Sequence, residues 1–382
     1  MNNAQCNFQQ KKSLMILWPN LCLVSMIRSY LCNLYKSNIF LLTLLSSHLI
    51  IVNCQYGQLD NKNDKSIIPT FAAIFLGDFF YASELQKIAR EKIGILPNVA
   101  PGSEEDTATK IALGNKIFRD NKLSSNHVQS CLTCHPIDGN AAGMDRQATS
   151  RGTFGQLGKR NTPTILNVGF LSIIFWDGRR DSLYNQAIDP FLNPLEMSLP
   201  SEGELLTRIE NDPSYTSFFA NAFPESPNPS IHSIRLTLAA FERSLISKSK
   251  FDSFLESSPL SLSKSELDGL KLFLDVGCTN CHSESLLGGS QFGKLDTTYA
   301  YNLNDLGRAE FTGNNEDNFF FKVPPLRNVG LTAPYFHDGS VPTLKEAVRR
   351  MNQYNLIRQM SDQEIELITT FLKSLSDKTK IN

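Results

Sequence analysis

Apolar positions recur at helical spacing in several short, separated stretches of this 382-residue chain. Ser83 to Ile95 and Asp106 to Phe118 read as helices, the second with Ile111, Ile117 and Phe118 on one side. Ser263 and Glu266 form a capping box that opens a helix carrying Leu267, Leu270, Phe273 and Leu274. Ser361 and Glu364 form another, ahead of Ile365, Ile368, Phe371 and Leu372. Ile231, Ile234, Leu238, Phe241 and Leu245 mark a longer amphipathic helix, expected to bridge two domains, and Leu344 to Met351 predicts one more. Between them, Arg151 to Pro200 shows little helical period and much Gly, Pro and Asn. A loop-rich stretch of that length inside a compact domain is usually functional.

The first 55 residues read as a signal peptide or N-terminal anchor. Ile39 to Leu45 and Leu49 to Val52 form an apolar run between Lys36 and a polar stretch, short for a transmembrane helix and suited to a signal h-region. Met26-Ile27-Arg28 makes a better n-region than the residues before it, so Met26 is the expected true start. Val52-Asn53-Cys54 loosely matches a lipoprotein site, with Asn53 a poor fit, and lipid anchoring at Cys54 is the alternative. Residues 56–100 read as linker and N-terminal extension, 101–245 as one domain and 246–382 as a second, a division that the length allows. A net charge of −1 without a long basic run argues against a nucleic-acid partner.

Cysteine placement narrows the chemistry. Four of the eight cysteines lie in the first 54 residues, and the other four make two pentapeptides, Cys131-Leu132-Thr133-Cys134-His135 and Cys278-Thr279-Asn280-Cys281-His282. Each offers two thiols for thioether bonds to a haem and a His to ligate its iron, the c-type attachment signature. Zinc-binding Cys pairs usually sit ~15–20 residues apart, whereas these lie in opposite halves, and a redox dithiol would not explain the following His twice. The expectation is two covalent haem c groups. A helix before each motif and a closing helix after it suits a small cytochrome c domain, so the predicted fold is mainly α. It comprises two cytochrome c-like domains, each with one covalent haem, and loop-rich segments around the first haem. Export to the periplasm is expected, because bacterial c-type haem is attached outside the cytoplasm. With six histidines in all, the sixth-ligand candidates downstream of His282 are His337, Met351 and Met360. A Met ligand would raise the potential and give an electron store.

Five further segments carry a resemblance. Arg160-Asn161-Thr162-Pro163-Thr164, Phe175-Trp176-Asp177-Gly178-Arg179, Gly307-Arg308-Ala309-Glu310, Phe321 to Val329 and Leu331 to Ser340 are similar to the bacterial dihaem cytochrome c peroxidases. They stand in that family's order and spacing from about Ala112 to Leu375, and the superfamily includes the MauG-type proteins. The resemblance implies a peroxide site at the first haem and an electron store at the second, with Met351 as axial ligand where MauG-type proteins place Tyr. It implies Trp176 between the haems, Gln186 and Glu196 as distal Gln and catalytic Glu, and a Ca²⁺ site at Asn161, Thr332 and Pro334. It makes His337 an interdomain residue that ligates no haem, and gives His127 and His232 no role. The implied reaction is reduction of hydrogen peroxide to water with electrons from a small cytochrome c or cupredoxin, in a protein that commonly dimerises. A carboxyl near the iron suits it, because cleaving peroxide needs a proton moved between its oxygens.

One departure stands out. Many of these peroxidases carry a capping His on the loop after the first haem motif, yet Thr149 to Gly155 contains none, and no His occurs between His135 and His232. Met144 is the remaining candidate on that side. The simpler expectation is a first haem open at its sixth position. MauG-type proteins share that state, so a MauG-like enzyme oxidising a protein substrate is the second reading, and a pure dihaem electron carrier the third.

Overall fold

The computed structural model describes residues 67–139, 141–295, 304–353, 358–377 and 379. The expected leader, with Met26 and Cys54, lies outside the described residues. The chain divides into two compact units, 1–72 and 73–382. Of the first, residues 67–72 are described and are helical.

Helix α1 (Ile67–Lys92) is followed by α2 (Ala108–Arg119), the single turn α3 (Cys131–Cys134), and two short helices in the loop-rich stretch, α4 (Leu183–Gln186) and α5 (Asp189–Leu192). Next come α6 (Glu202–Glu210), α7 (Thr216–Ala222), α8 (Ile231–Arg243), α9 (Lys250–Glu256), α10 (Lys264–Asp275), α11 (Ala309–Thr312), α12 (Leu344–Gln353) and α13 (Asp362–Ser374). Strands β1 (Phe292–Lys294) and β2 (Phe320–Lys322) pair antiparallel, with Phe292 opposite Lys322. Both expected capping boxes form: the Ser263 hydroxyl accepts from the Glu266 N–H, and the Ser361 hydroxyl from that of Glu364.

Among the described residues, buried apolar side chains form two hydrophobic cores. The first joins α2, α8 and the loop-rich stretch, and the second joins α10, α12 and α13. They repeat one construction. A Cβ on Gly114 in α2 would stand 2.0 Å from the Thr237 carbonyl oxygen of α8, and one on Gly269 in α10 would stand 2.1 Å from that of Leu367 in α13. Only glycine lets the helix pairs approach so closely. The same crossings place Phe118 on Phe241 at 5.1 Å and 56°, and Phe273 on Phe371 at 5.3 Å and 58°. The loops repeat as well: Asn167 and Asn328 both adopt positive φ, each ahead of a short 3₁₀ turn. Asn167 holds the chain after α8 through Leu245 and Ser247, and Asn328 holds the chain after α13 through Leu375 and Asp377.

Two departures from expectation concern partners. Helix α8 does not bridge the halves; its Ile234, Leu238, Ala239 and Phe241 lie inside the first core. Helix α1 begins well before Ser83, and its Ala82, Leu85 and Ala89, with Ile93 just after it, pack into the second core with Phe251 and Phe254. Gln86 donates to the Phe254 carbonyl and the Tyr81 hydroxyl to Asp268 at 2.9 Å. The halves are joined by Arg160, whose guanidinium reaches Asp177 at 2.7 Å in its own half and Asp305 at 2.7 Å in the other.

Candidate active site

The first haem motif is shaped by its turn. Residues three apart on a helix share a face, so α3 places Cys131 and Cys134 together, and the His135 N–H closes the turn on the Cys131 carbonyl at 2.8 Å. The imidazole Nδ1 stands 2.9 Å from the Gly143 carbonyl. A proton held there leaves Nε2 as the free lone pair, the arrangement that orients a metal-ligating His. The second motif repeats it. Cys278–Asn280 forms a 3₁₀ turn, the His282 N–H meets the Cys278 carbonyl at 2.8 Å, and His282 Nδ1 lies 3.1 Å from the Leu287 carbonyl. All four cysteines are unbridged, and burial pushes the Cys134 thiol up to about 11 and the Cys278 thiol up to about 12. Protonated thiols suit thioether formation. Among the described residues no cluster of three or more His, Cys, Asp and Glu is placed to hold an ion.

A cavity of about 350 Å³ opens over the first motif. Cys131, Cys134 and His135 line it together with Trp176, Gln186 and Glu196, so the sequence-predicted residues of the first site come together. Helix α4 carries Gln186 at its C-terminus, and Glu196 follows the turn after α5. Asn193 donates to Glu196 Oε1 at 2.7 Å, and burial raises the Glu196 pKa above the usual carboxylate range. Trp176 donates through Nε1 to the Asn161 carbonyl at 2.8 Å, which fixes its indole at the boundary between the halves.

The loop without His is pinned across this cavity. The Thr153 N–H donates to the Glu196 carbonyl at 2.8 Å, and Gln129 Nε2 donates to the Arg151 carbonyl at 2.9 Å. Met144 does not line the cavity; it is buried, with its sulfur accepting from the Arg146 N–H at 3.2 Å. His127 is exposed in a turn, and His232 meets the Tyr184 hydroxyl at 2.8 Å on the surface. His337 is buried, stacked on Phe321 with centroids 4.0 Å apart.

A second, smaller cavity of about 100 Å³ brings together Asn161, Thr332 and Pro334, with Trp176 on its wall. Met351 lies near the end of α12, half-buried and outside the second core, whereas Met360 belongs to that core. Met351 lines neither cavity.

Two residues on the first cavity wall escaped the sequence reading. Glu242 of α8 is buried with Oε2 unpartnered, and burial raises its pKa to about 8. Lys322 of β2 is 4% exposed, and burial lowers its pKa to about 8. Both sit in apolar stretches, Phe319 to Val323 and Leu238 to Glu242, where a charged residue marks no chemistry until the fold shows it buried.

A family model described as di-haem cytochrome c peroxidase matches residues 108–259, and one described as RoxA-like, cytochrome c-like matches 321–353. The cytochrome c551 peroxidase of Nitrosomonas europaea is 36% identical over 316 residues, 82% of this chain and 92% of that protein. The chain belongs to the di-haem cytochrome c peroxidase family. The cytochrome c peroxidase Ccp of Escherichia coli is 38% identical over 275 residues, covering 70% of this chain and 58% of that longer relative. A crystal structure of a MauG-like protein associated with microbial copper homeostasis superposes with a TM-score of 0.67 at 27% identity, covering 75% of this chain and 95% of that one. The expected family and enzyme class are thus borne out, and the mainly helical fold is shared with a MauG-like neighbour.

Proposed function

We propose that the protein is a periplasmic di-haem c-type peroxidase that reduces hydrogen peroxide to water with electrons from a small cytochrome c or cupredoxin. The observation that carries this reading is the convergence of Cys131, Cys134, His135, Gln186 and Glu196 on one cavity. The residues fit haem c at both motifs: paired thiols, and an imidazole whose Nδ1 stands at hydrogen-bond distance from a backbone carbonyl. Bound haem c supplies redox-active iron for the two-electron reduction of peroxide.

The reaction takes up two protons as well as two electrons, and the chain's own groups can deliver them. Glu196, held at Oε1 by Asn193 and kept protonated to higher pH by burial, can pass a proton from its carboxyl to the leaving oxygen. Gln186 faces the same space and can orient peroxide by hydrogen bonding. Trp176, anchored at the joint between the halves, is placed to connect them. Cys278, Cys281 and His282 hold the second haem, and Met351 is the ligand that the family resemblance favours. The core burial of Met360 supports that choice. Asn161, Thr332 and Pro334 form a proposed Ca²⁺ site, for which their shared cavity offers hard oxygen donors. Export by the N-terminal signal, lipid attachment at Cys54 as its alternative, and homodimer formation are part of the same reading.

The 149–155 loop supplies no imidazole and is tied to the strand of chain bearing Glu196, which supports a first site open at rest. The same feature, with the MauG-like structural neighbour, favours the second reading, oxidation of residues in a protein substrate. Peroxide turnover by the haem-loaded Glu196→Gln variant tests the first. A fall of about 10²-fold with unchanged haem spectra supports it, and unchanged turnover removes Glu196 from the reaction.

A further inference from the structure

Lys322 is a buried cation in search of an anion. It lines the first cavity, which Cys134 and His135 also line, and the second, which Trp176 also lines. The residue is 4% exposed, yet among the described residues its ammonium forms no ion pair. The other cations on the first cavity wall are already engaged. Lys159 pairs with Glu310, Arg160 with Asp177 and Asp305, Arg179 with Asp177, and Arg151 donates to the Gly155 carbonyl. Asp177, the carboxylate whose field Lys322 feels, thus has two guanidinium partners of its own. An ammonium taken out of water without a counter-charge is strongly destabilised, and such groups are paired in folded proteins. The backbone holds it firmly: the Lys322 N–H donates to the Trp176 carbonyl at 2.7 Å, and the residue pairs with Phe292 across the β1–β2 ladder. Its neighbour Phe321 faces the other way, onto His337, as successive strand residues must.

We propose that Lys322 is the anchor for a carboxylate of the cofactor, a propionate of the haem held by Cys131, Cys134 and His135. This rests on the di-haem reading above. Lys322 is a positioning residue: through its N–H it ties that carboxylate to the backbone of Trp176, and its charge favours the reduced state of the first haem.

The test uses full-length, haem-loaded Lys322→Met and Lys322→Arg proteins. Haem per chain is counted, each haem's reduction equilibrium is titrated spectroelectrochemically, and the propionate bending band is followed by resonance Raman scattering. Lys322→Met should bind two haems, shift the first haem's reduction equilibrium about tenfold toward the oxidised form (~59 mV for one electron) and move its propionate band. The second haem should stay unchanged, and Lys322→Arg should restore both signals. Two haems bound with neither signal moved overturns the anchor and leaves the di-haem reading intact, as does an equal shift at both haems. Absence of haem from the first motif in the unmutated protein overturns both. Should Lys322→Met fail to accumulate, Lys322→Gln carries the same readouts.

Discussion

Trp176 and His337 are equivalent residues of the two halves, and they meet edge to face, ring centroids 6.4 Å apart at 71°. Each follows a Phe of positive φ, Phe175 or Phe336, and precedes an Asp-Gly whose glycine also has positive φ. Each stretch closes with an isolated antiparallel bridge, Ile174 to Arg180 and Tyr335 to Val341. A duplicated loop thus delivers two different aromatic side chains to one joint. The Asn161 N–H donates to the His337 carbonyl at 2.7 Å, and the Asn161 carbonyl accepts from Trp176, so one residue braces both.

The repeated helix crossing gives a stability prediction. Gly269→Ala would put a methyl 2.1 Å from a backbone oxygen that cannot swing away. Overpacking of this kind costs about 1–3 kcal/mol. Thermal unfolding of the loaded protein should show a clear drop in Tm, whereas Gly313→Ala, with nothing near its Cβ, should lose only what its positive φ demands.

Glu242 gives a pH prediction. Its folded pKa, raised to about 8, exceeds the ordinary carboxylate value of 4.5. A raised folded pKa means that the folded state keeps a proton which the unfolded state has already released. The associated stability is complete below pH ~4.5 and declines as pH rises toward 8. Glu242→Gln should therefore raise Tm at pH 8 and leave it nearly unchanged at pH 4.5. Equal shifts at both pH values would mean that the carboxyl titrates normally.

Helix positions were legible because α2, α10 and α13 carry strong apolar periods and clear caps. Their partners were not. An apolar stripe on α8 says that a face is buried without saying against what, and α1 docks on a residue 168 positions away, Phe254. Helices α4 and α5, four residues each, are too short to show a period. The haem motifs were legible from spacing alone, Glu196 and Gln186 only through resemblance, and Lys322 and Glu242 only once the fold had buried them.

For the second haem, Met351→His should lower its potential and slow electron entry, because His is the stronger donor. Spectroelectrochemical titration measures this directly. No change would point to Met360, despite its place in the core.

For the smaller cavity, chelating Ca²⁺ from the loaded protein should weaken electron transfer between the haems, read as slower turnover with donor and restored by added Ca²⁺. Indifference to chelation would remove Asn161, Thr332 and Pro334 from function.

The claim of a peroxidase open at rest is met most directly by an electron paramagnetic resonance spectrum of the fully oxidised, haem-loaded protein, followed by peroxide turnover without prior reduction. A high-spin signal beside one low-spin signal, with immediate turnover, is the predicted result. Two low-spin signals, with turnover only after one electron is added, would contradict it and require a ligand on the first haem from the 149–155 loop or Met144.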